Sequence, residues 1–167
     1  MTRLLRRTPL SAKLGPSPIL QLTSYTDYAF RTLIALACVA PEKLTVGEIS
    51  ESYGISLNHL LKVVQRLAEL GYVETTRGKS GGVRLVAAPS ALTLGAVVRG
   101  MEPELGVVPC LRRDEQPCVI APACRLKSIL SDATHQFLAS LDEHTLAEIV
   151  EPKPRVTRLL KLTARAN

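Results

Sequence analysis

The chain has 167 residues, the size of one compact domain or of one domain with an added helix. Hydrophobic residues make up 46% of it, which is enough for a sizeable core and excludes a globally disordered chain. The longest apolar run, Leu33 to Ala40, is eight residues long, whereas a membrane-spanning helix needs about twenty, so we expect no membrane partner. Aromatic residues amount to 4%, which argues against recognition of single-stranded bases on stacked aromatic rings.

The net charge of +6 is concentrated at the N-terminus. Residues 1–20 carry four cations and no acidic residue: Arg3, Arg6, Arg7 and Lys13. This segment lacks the apolar stretch of a signal peptide, so we interpret it as a basic N-terminal arm. It is either disordered, or the product of a start codon placed too far upstream, or an arm that adds phosphate contacts. An argument for nucleic-acid binding must therefore rest on local clusters of charge elsewhere in the chain.

Residues 24–71 have the pattern of three helices. Ser24 is expected to cap the first, with Asp27 in its first turn, and this helix ends before Pro41. Thr45 and Glu48 form a capping box that opens a short second helix. Ser56 is expected to cap a third helix, whose predicted buried side consists of Leu57, Leu60, Leu61, Val64, Leu67, Ala68 and Leu70. The second and third helices are joined by residues 53–56, which is typical of a helix-turn-helix.

Two short alternating segments, residues 72–76 and 83–86, flank a basic, glycine-rich turn, and they predict a β-hairpin. A hairpin directly after a helix-turn-helix is a wing. Gly78-Lys79-Ser80 is reminiscent of a phosphate-binding P-loop, but that motif needs glycine where Val73 stands and a helix where the second strand follows. We therefore interpret residues 21–102 as a winged helix-turn-helix domain that ends in a further helix.

The second half of the chain begins with a proline-rich cysteine segment, residues 103–124. A long helix follows from Cys124, and its broad apolar stripe needs a partner surface. A second capping box, Thr145 with Glu148, opens a short helix, so residues 124–151 are expected to form a dimerisation unit. Residues 152–167 are interpreted as a weakly specified basic tail. The predicted fold class is mainly α with a small β-hairpin wing (α+β).

The predicted DNA-facing surface combines the start of the third helix with the wing. Short polar side chains at the first turns of a recognition helix reach base edges, and longer cations reach guanine or phosphate. Residues 56–84 hold five basic and two acidic side chains, a local excess of +3. The candidate DNA contacts are Ser56, Asn58, His59, Lys62, Arg66, Arg77, Lys79, Ser80 and Gly81.

Four cysteines divide into one buried candidate and three candidate ligands. Cys38 lies within an apolar helix and is expected to be inert. Cys110, Cys118 and Cys124 have the spacing C-x7-C-x5-C, and three thiols cannot all form disulfides within one chain. This spacing fits neither the close pairs of structural zinc sites nor bacterial ferredoxins. An iron–sulfur cluster with a fourth ligand from elsewhere, a zinc site and free redox-sensing thiols all remain open on spacing alone.

Four stretches resemble the Rrf2 family of winged-helix regulators, in particular its nitric-oxide-sensing repressors. These stretches are QLTSYTDY (21–28), SLNHLLKVV (56–64), RGKSGGVRL (77–85) and APACRLK (121–127), and the resemblance extends over residues 21–151. It implies a cytoplasmic homodimer that binds double-stranded DNA at an inverted-repeat operator. It also implies an iron–sulfur cluster in each subunit, with [4Fe-4S] favoured over [2Fe-2S]. Damage to the cluster by nitric oxide would then lower operator affinity.

The same resemblance assigns the cluster ligands. Cys110, Cys118 and Cys124 match the thiolates, and Asp27 matches the carboxylate that the opposite subunit supplies. The branch of the family that controls iron–sulfur assembly has a histidine ligand where this chain has Lys127, so the nitric-oxide branch is favoured. An iron–sulfur-status regulator and a thiol or zinc redox regulator of the same family remain the alternatives. No nucleophile–base pair is apparent in the sequence, so we do not expect an enzyme.

Overall fold

A computed structural model describes residues 21–78, 81–102, 104–111 and 118–162. Within these ranges the chain is mainly helical with one two-stranded antiparallel sheet, which confirms the predicted fold class. The helices are α1 (Ser24–Val39), α2 (Val46–Tyr53), α3 (Leu57–Glu69), α4 (Leu94–Met101), α5 (Arg125–Asp142), α6 (Leu146–Ile149) and α7 (Lys153–Leu159), and the strands are β1 (Val73–Thr76) and β2 (Gly82–Leu85). No described helix is both long and apolar enough to cross a membrane.

Helix α1 forms the centre of the core and contacts α2, α3, α4, α6, α7 and β2. Its inward positions, such as Ala29, Leu33 and Leu36, are at most 1% exposed. The N-cap is Thr23, whose hydroxyl accepts a hydrogen bond from the Thr26 amide, so the prediction that Ser24 caps this helix was wrong by one residue.

The helix-turn-helix forms as predicted. The Thr45–Glu48 capping box opens α2, and Gly54 ends it with a φ of 64°, a left-handed conformation that favours glycine. Helix α3 then buries Leu60, Val63, Val64 and Leu67. The prediction that Leu57 and Leu61 also belong to the buried side is wrong, because these side chains are 46% and 49% exposed.

The wing is an antiparallel hairpin in which Val73 is paired with Leu85 and Thr76 with Gly82. Strand β2 is attached to the segment before α2, because Leu44 and Val83 exchange backbone hydrogen bonds of 3.0 and 2.7 Å. Both of these side chains are buried, so the hairpin base is fixed to the helix-turn-helix.

Helix α5 is anchored at its C-terminal end to the start of α4. Arg99 forms an ion pair with Asp142, and the Leu94 amide donates to the His144 carbonyl at 2.9 Å. A Cβ atom at Gly95 would lie 2.1 Å from the Asp142 carboxylate and 3.0 Å from the Leu138 carbonyl, so a larger residue here would displace the Asp142 side chain. The N-terminal end of α5 begins directly after Cys124, the last residue of the cysteine segment.

Part of the predicted basic tail is a folded element. Helix α7 packs against α1, and Leu162 beyond it is 8% exposed in the core. The Lys153 ammonium donates to the Ala40 carbonyl at 3.5 Å. The prediction of a weakly specified tail is therefore wrong for residues 152–162, because spaced apolar side chains cover the end of α1. Residues 163–167 and the N-terminal arm, 1–20, lie outside the described residues.

Candidate nucleic-acid interface and cysteine segment

The first turns of α3 present a polar surface to solvent. Ser56, Asn58, His59 and Lys62 are all exposed. Ser56 occupies the N-cap position, but its side chain makes no capping hydrogen bond. The structure thus places these four predicted DNA contacts on one exposed end of the recognition helix.

Two tyrosines of α1 fix this end of α3. The Tyr25 hydroxyl donates to the Lys62 carbonyl at 2.9 Å. The Tyr28 ring stacks on the His59 imidazole, with 6.3 Å between ring centroids and an interplanar angle of 21°. The sequence predicted His59 as a DNA contact without indicating Tyr28 as its neighbour, because the two residues are distant in the chain.

Arg66 has a partner within the protein. Its guanidinium donates to the Gly100 carbonyl from Nε at 3.3 Å and from Nη2 at 3.2 Å, and it also pairs with Glu69. Arg66 therefore joins the recognition helix to the last turn of α4. The DNA contact predicted for Arg66 stays an untested prediction.

The wing contributes one described cation that is free of acidic partners. Arg84 pairs with Glu74 across the hairpin. Arg77 is exposed at the end of β1, and neither it nor Lys62 forms an ion pair with another described residue. Gly81 is half-buried beside the turn, whereas Lys79 and Ser80 lie outside the described residues.

The three candidate cysteine ligands all belong to the segment that leads into α5, and Cys124 stands at the start of that helix. Cys110 is on a short helical turn, Pro109–Leu111, which contacts α5. Cys118 is exposed, and its carbonyl accepts a hydrogen bond from the Ala121 amide at 2.8 Å in the turn that leads to Cys124. Cys124 is the N-cap residue of α5 and makes no side-chain cap.

The chemistry of this donor set fits an iron–sulfur cluster, because all three thiols are free and soft thiolates are the ligands that such clusters take. Among the described residues, however, no three His, Cys, Asp or Glu side chains are close enough together to hold a metal ion. Residues 112–117, between Cys110 and Cys118, are outside the described ranges. The three-thiolate site therefore stays a prediction.

Asp27, the predicted fourth ligand, lies in the first turn of α1. This position agrees with the prediction of an acidic residue in the first turn, although the residue that caps the helix is Thr23. The Asp27 carboxylate accepts from Arg31 at 2.8 Å, in an ion pair whose side chains are 48% and 42% exposed. The Arg31 guanidinium also lies 5.7 Å from the centre of the Tyr53 ring, a cation–π contact.

Sequence reasoning missed Glu102, the buried carboxylate at the root of the cysteine segment. Its Oε1 accepts from the Thr23 amide at 2.8 Å, from the Thr23 hydroxyl at 3.0 Å and from the Thr26 hydroxyl at 2.6 Å. Glu102 thus ties the end of α4 to the start of α1. The partners are 76 and 79 residues away in sequence, so no local pattern indicates them.

Cys38 is buried, as the sequence predicted. Burial raises the pKa of its thiol, an effect that a hydrogen bond with Thr157 and the charge of Lys153 only partly offset. Burial likewise raises the pKa of nearby Tyr53 to about 12. Cys38 is therefore a protonated core side chain at neutral pH, and its environment sets it apart from the three candidate ligands.

The geometry of an exposed recognition helix beside a wing agrees with the family match. The Rrf2 model, described as an iron-dependent transcriptional regulator, matches residues 22–152. The chain belongs to the Rrf2 family. It is thus a DNA-binding transcriptional regulator, and the family resemblance of its motifs is confirmed.

Similar curated proteins from three bacteria are called HTH-type transcriptional regulator NsrR. The one from Bacillus subtilis is 45% identical over 144 residues, which is 86% of this chain and 99% of that protein. The one from Bacillus licheniformis is 41% identical over 142 residues, or 84% of this chain and 99% of its own length.

Solved Rrf2 structures share the fold. IscR from T. potens superimposes with a TM-score of 0.63 at 21% identity, covering 88% of this chain and 94% of that one. At this level of identity the likeness establishes the winged-helix architecture alone.

Proposed function

We propose that this Rrf2 regulator is a dimeric transcriptional repressor that senses nitric oxide through an iron–sulfur cluster held by Cys110, Cys118 and Cys124. The observation that carries the proposal is the presence of three free thiols in the segment that leads into α5, in a winged-helix chain with similar relatives that bear the name NsrR. Lys127, in place of a histidine ligand, favours nitric oxide over iron–sulfur assembly as the signal.

The DNA-binding surface consists of the exposed start of α3 together with the wing. Asn58 suits the adenine edge, and Lys62 suits guanine or a phosphate. Arg77 at the wing is positioned for a phosphate contact. The glycines of the turn allow close approach of the backbone to the duplex.

The start of α5 supports a homodimer. Leu126 and Ile129 are each 60% exposed on this helix, and Val119 and Ile120 just before it are 96% and 63% exposed. Four large apolar side chains exposed within eleven residues favour a covering partner. A second copy related by a two-fold axis would set two recognition helices about one turn of DNA apart, and this matches an inverted-repeat operator.

The cluster in this proposal takes three thiolates from one chain and the partner's Asp27 as the fourth ligand. An iron–sulfur cluster supplies iron atoms that react with nitric oxide. In the described chain Asp27 is paired with Arg31 through Oδ2, so iron would take the other carboxylate oxygen or replace the guanidinium.

Two contacts connect the cysteine segment to the DNA-binding surface. Arg66 of α3 holds the Gly100 carbonyl, and Glu102 holds the first turn of α1. Gly100 and Glu102 directly precede the cysteine segment. A change in the conformation of that segment is therefore passed to α3 through Arg66 and to α1 through Glu102. A tenfold change in operator affinity needs only about 1.4 kcal/mol of differential stabilisation.

The exposure of Cys118 supports a second candidate function, a thiol-based redox regulator with the same DNA-binding surface. A zinc-bound version would bind DNA in the same way and lack visible absorbance.

The test uses protein purified without oxygen, with Cys118→Ala as the variant and Cys38→Ala as the matched control. Wild type and Cys38→Ala are expected to contain iron and sulfide and to absorb visible light, whereas Cys118→Ala is expected to be colourless. Operator affinity, measured on a duplex selected by the protein from a random pool, should be at least about tenfold lower for Cys118→Ala. A Cys118→Ala protein as coloured as wild type would contradict the ligand set, and colourless wild type would favour the second candidate.

A further inference from the structure

Helix α3 has two leucines that its core does not use. Leu57 and Leu61 are 46% and 49% exposed, whereas Leu60 and Leu67 of the same helix are completely buried. Because they are four residues apart, Leu57 and Leu61 lie on one flank of the helix. We call this pair the leucine flank.

Leu61 of the leucine flank faces the wing, and Leu57 adjoins the base-reading end of α3. Leu61 lines the groove between α3 and the hairpin together with Gln65, Thr75 and Arg77. Leu57 lies one turn earlier, next to Asn58. The flank is therefore continuous with the proposed DNA-binding surface, and a duplex that contacts both α3 and the wing must cover it.

We propose that the leucine flank reads the methyl groups of thymines in the operator half-site, an inference that rests on the proposed DNA-binding function. In the major groove the thymine C5-methyl is the apolar feature that distinguishes one base pair from the others. Burial of a methyl group against a leucine that is otherwise in water is worth about fourfold in affinity. The preference of Asn58 for adenine points to the same A·T pairs.

The experiment replaces thymine by deoxyuridine, which removes only the methyl group. The parent protein first selects a duplex from a random pool, and each thymine of that duplex is then replaced singly. We expect the parent to lose about fourfold in affinity at one or two thymines of each half-site. At those positions Leu61→Ala or Leu57→Ala should bind the thymine and deoxyuridine duplexes equally. The matched control is Leu159→Ala on α7, which removes a leucine that is 74% exposed. This variant should show the same ratio of affinities for the thymine and deoxyuridine duplexes as the parent.

Three results would overturn this inference alone, and a fourth would overturn the proposed function with it. Equal binding of every deoxyuridine duplex by the parent would exclude methyl recognition, and full sensitivity in both leucine variants would assign it to other residues. The molecular mass of Leu61→Ala without DNA, measured by sedimentation, could also differ from that of the parent. If this variant still prefers thymine to deoxyuridine as strongly as the parent does, the leucine flank is a protein interface. If the parent selects no duplex at all, both this inference and the proposed function fail, whereas the first three results leave the proposed function standing.

Discussion

At the scale of single residues, the Glu102 carboxylate is the contact that joins distant parts of the chain. One of its oxygens accepts three hydrogen bonds from Thr23 and Thr26, and its side chain is 9% exposed. Removal of a buried acceptor leaves its donors without a partner, and this costs more than the loss of an exposed contact. Glu102 therefore stabilises both the start of α1 and the root of the cysteine segment.

We expect Glu102→Ala to lower the free energy of unfolding by about 2–3 kcal/mol, the usual effect of losing hydrogen bonds to a charged group. Glu102→Gln keeps one carbonyl oxygen as an acceptor and should lose about half as much. Denaturant unfolding measures both, with Glu143→Ala as the control because Glu143 is exposed at the end of α5. A Glu102→Ala protein within about 0.5 kcal/mol of wild type would contradict the role of this carboxylate.

The contrast between caps and long-range contacts shows which residues the sequence can predict. Both capping boxes, Thr45 with Glu48 and Thr145 with Glu148, form as predicted because their partners are three residues apart. The partners of Glu102 come together only through the packing of α4 on α1. Leu57 and Leu61 were assigned to the core because periodicity identifies the apolar side of a helix, whereas tertiary packing decides how wide the buried face is.

At the scale of elements, the recognition helix is fixed at both ends. Tyr25 and Tyr28 of α1 contact its first half, and Arg66 connects its last turn to α4. The wing is tied to the same body through Leu44 and Val83. Lys62 and Arg77 are therefore exposed on two elements that are tied to the same core.

We expect Lys62→Ala and Arg77→Ala each to weaken DNA binding, because each removes a cation that the proposed interface sets against a phosphate. The logarithm of the binding constant decreases linearly with the logarithm of the salt concentration. The steepness of this decrease should become smaller by about one in each variant. Fluorescence anisotropy over a series of salt concentrations measures this slope. Arg158→Ala on α7 is the control and should leave it unchanged. A variant at Lys62 or Arg77 that keeps the wild-type slope would remove that residue from the phosphate contacts.

The order of the elements could be predicted because each has strong local signals. Capping residues, terminal glycines and a basic hairpin turn delimit the winged helix-turn-helix in the sequence. Helix α7 was missed because a seven-residue helix rich in lysine and arginine has little signal of its own. Its position depends on the apolar end of α1, against which Val156 and Leu160 pack.

At the scale of the whole molecule, the described residues contain a winged domain, apart from the tip of its turn, followed by the segment that carries the three thiols. Leu126 and Ile129 at the start of α5 are exposed, and no three-ligand site is formed among the described residues. The sequence identified the cysteines, the carboxylate Asp27 and the long helix. It could not predict how they meet, because in our proposal the site closes only when a second subunit brings its own first helix to the cysteines.

In the proposed mechanism, the cysteine segment controls how tightly the recognition helix and the wing bind DNA. The most direct test is to measure operator affinity and visible absorbance together while nitric oxide is added to cluster-loaded protein under anaerobic conditions. We expect affinity to fall at least about tenfold in step with the loss of absorbance, with no change in a cluster-free sample treated alike. An unchanged affinity after the absorbance is lost, or an equal fall in the cluster-free sample, would contradict the account.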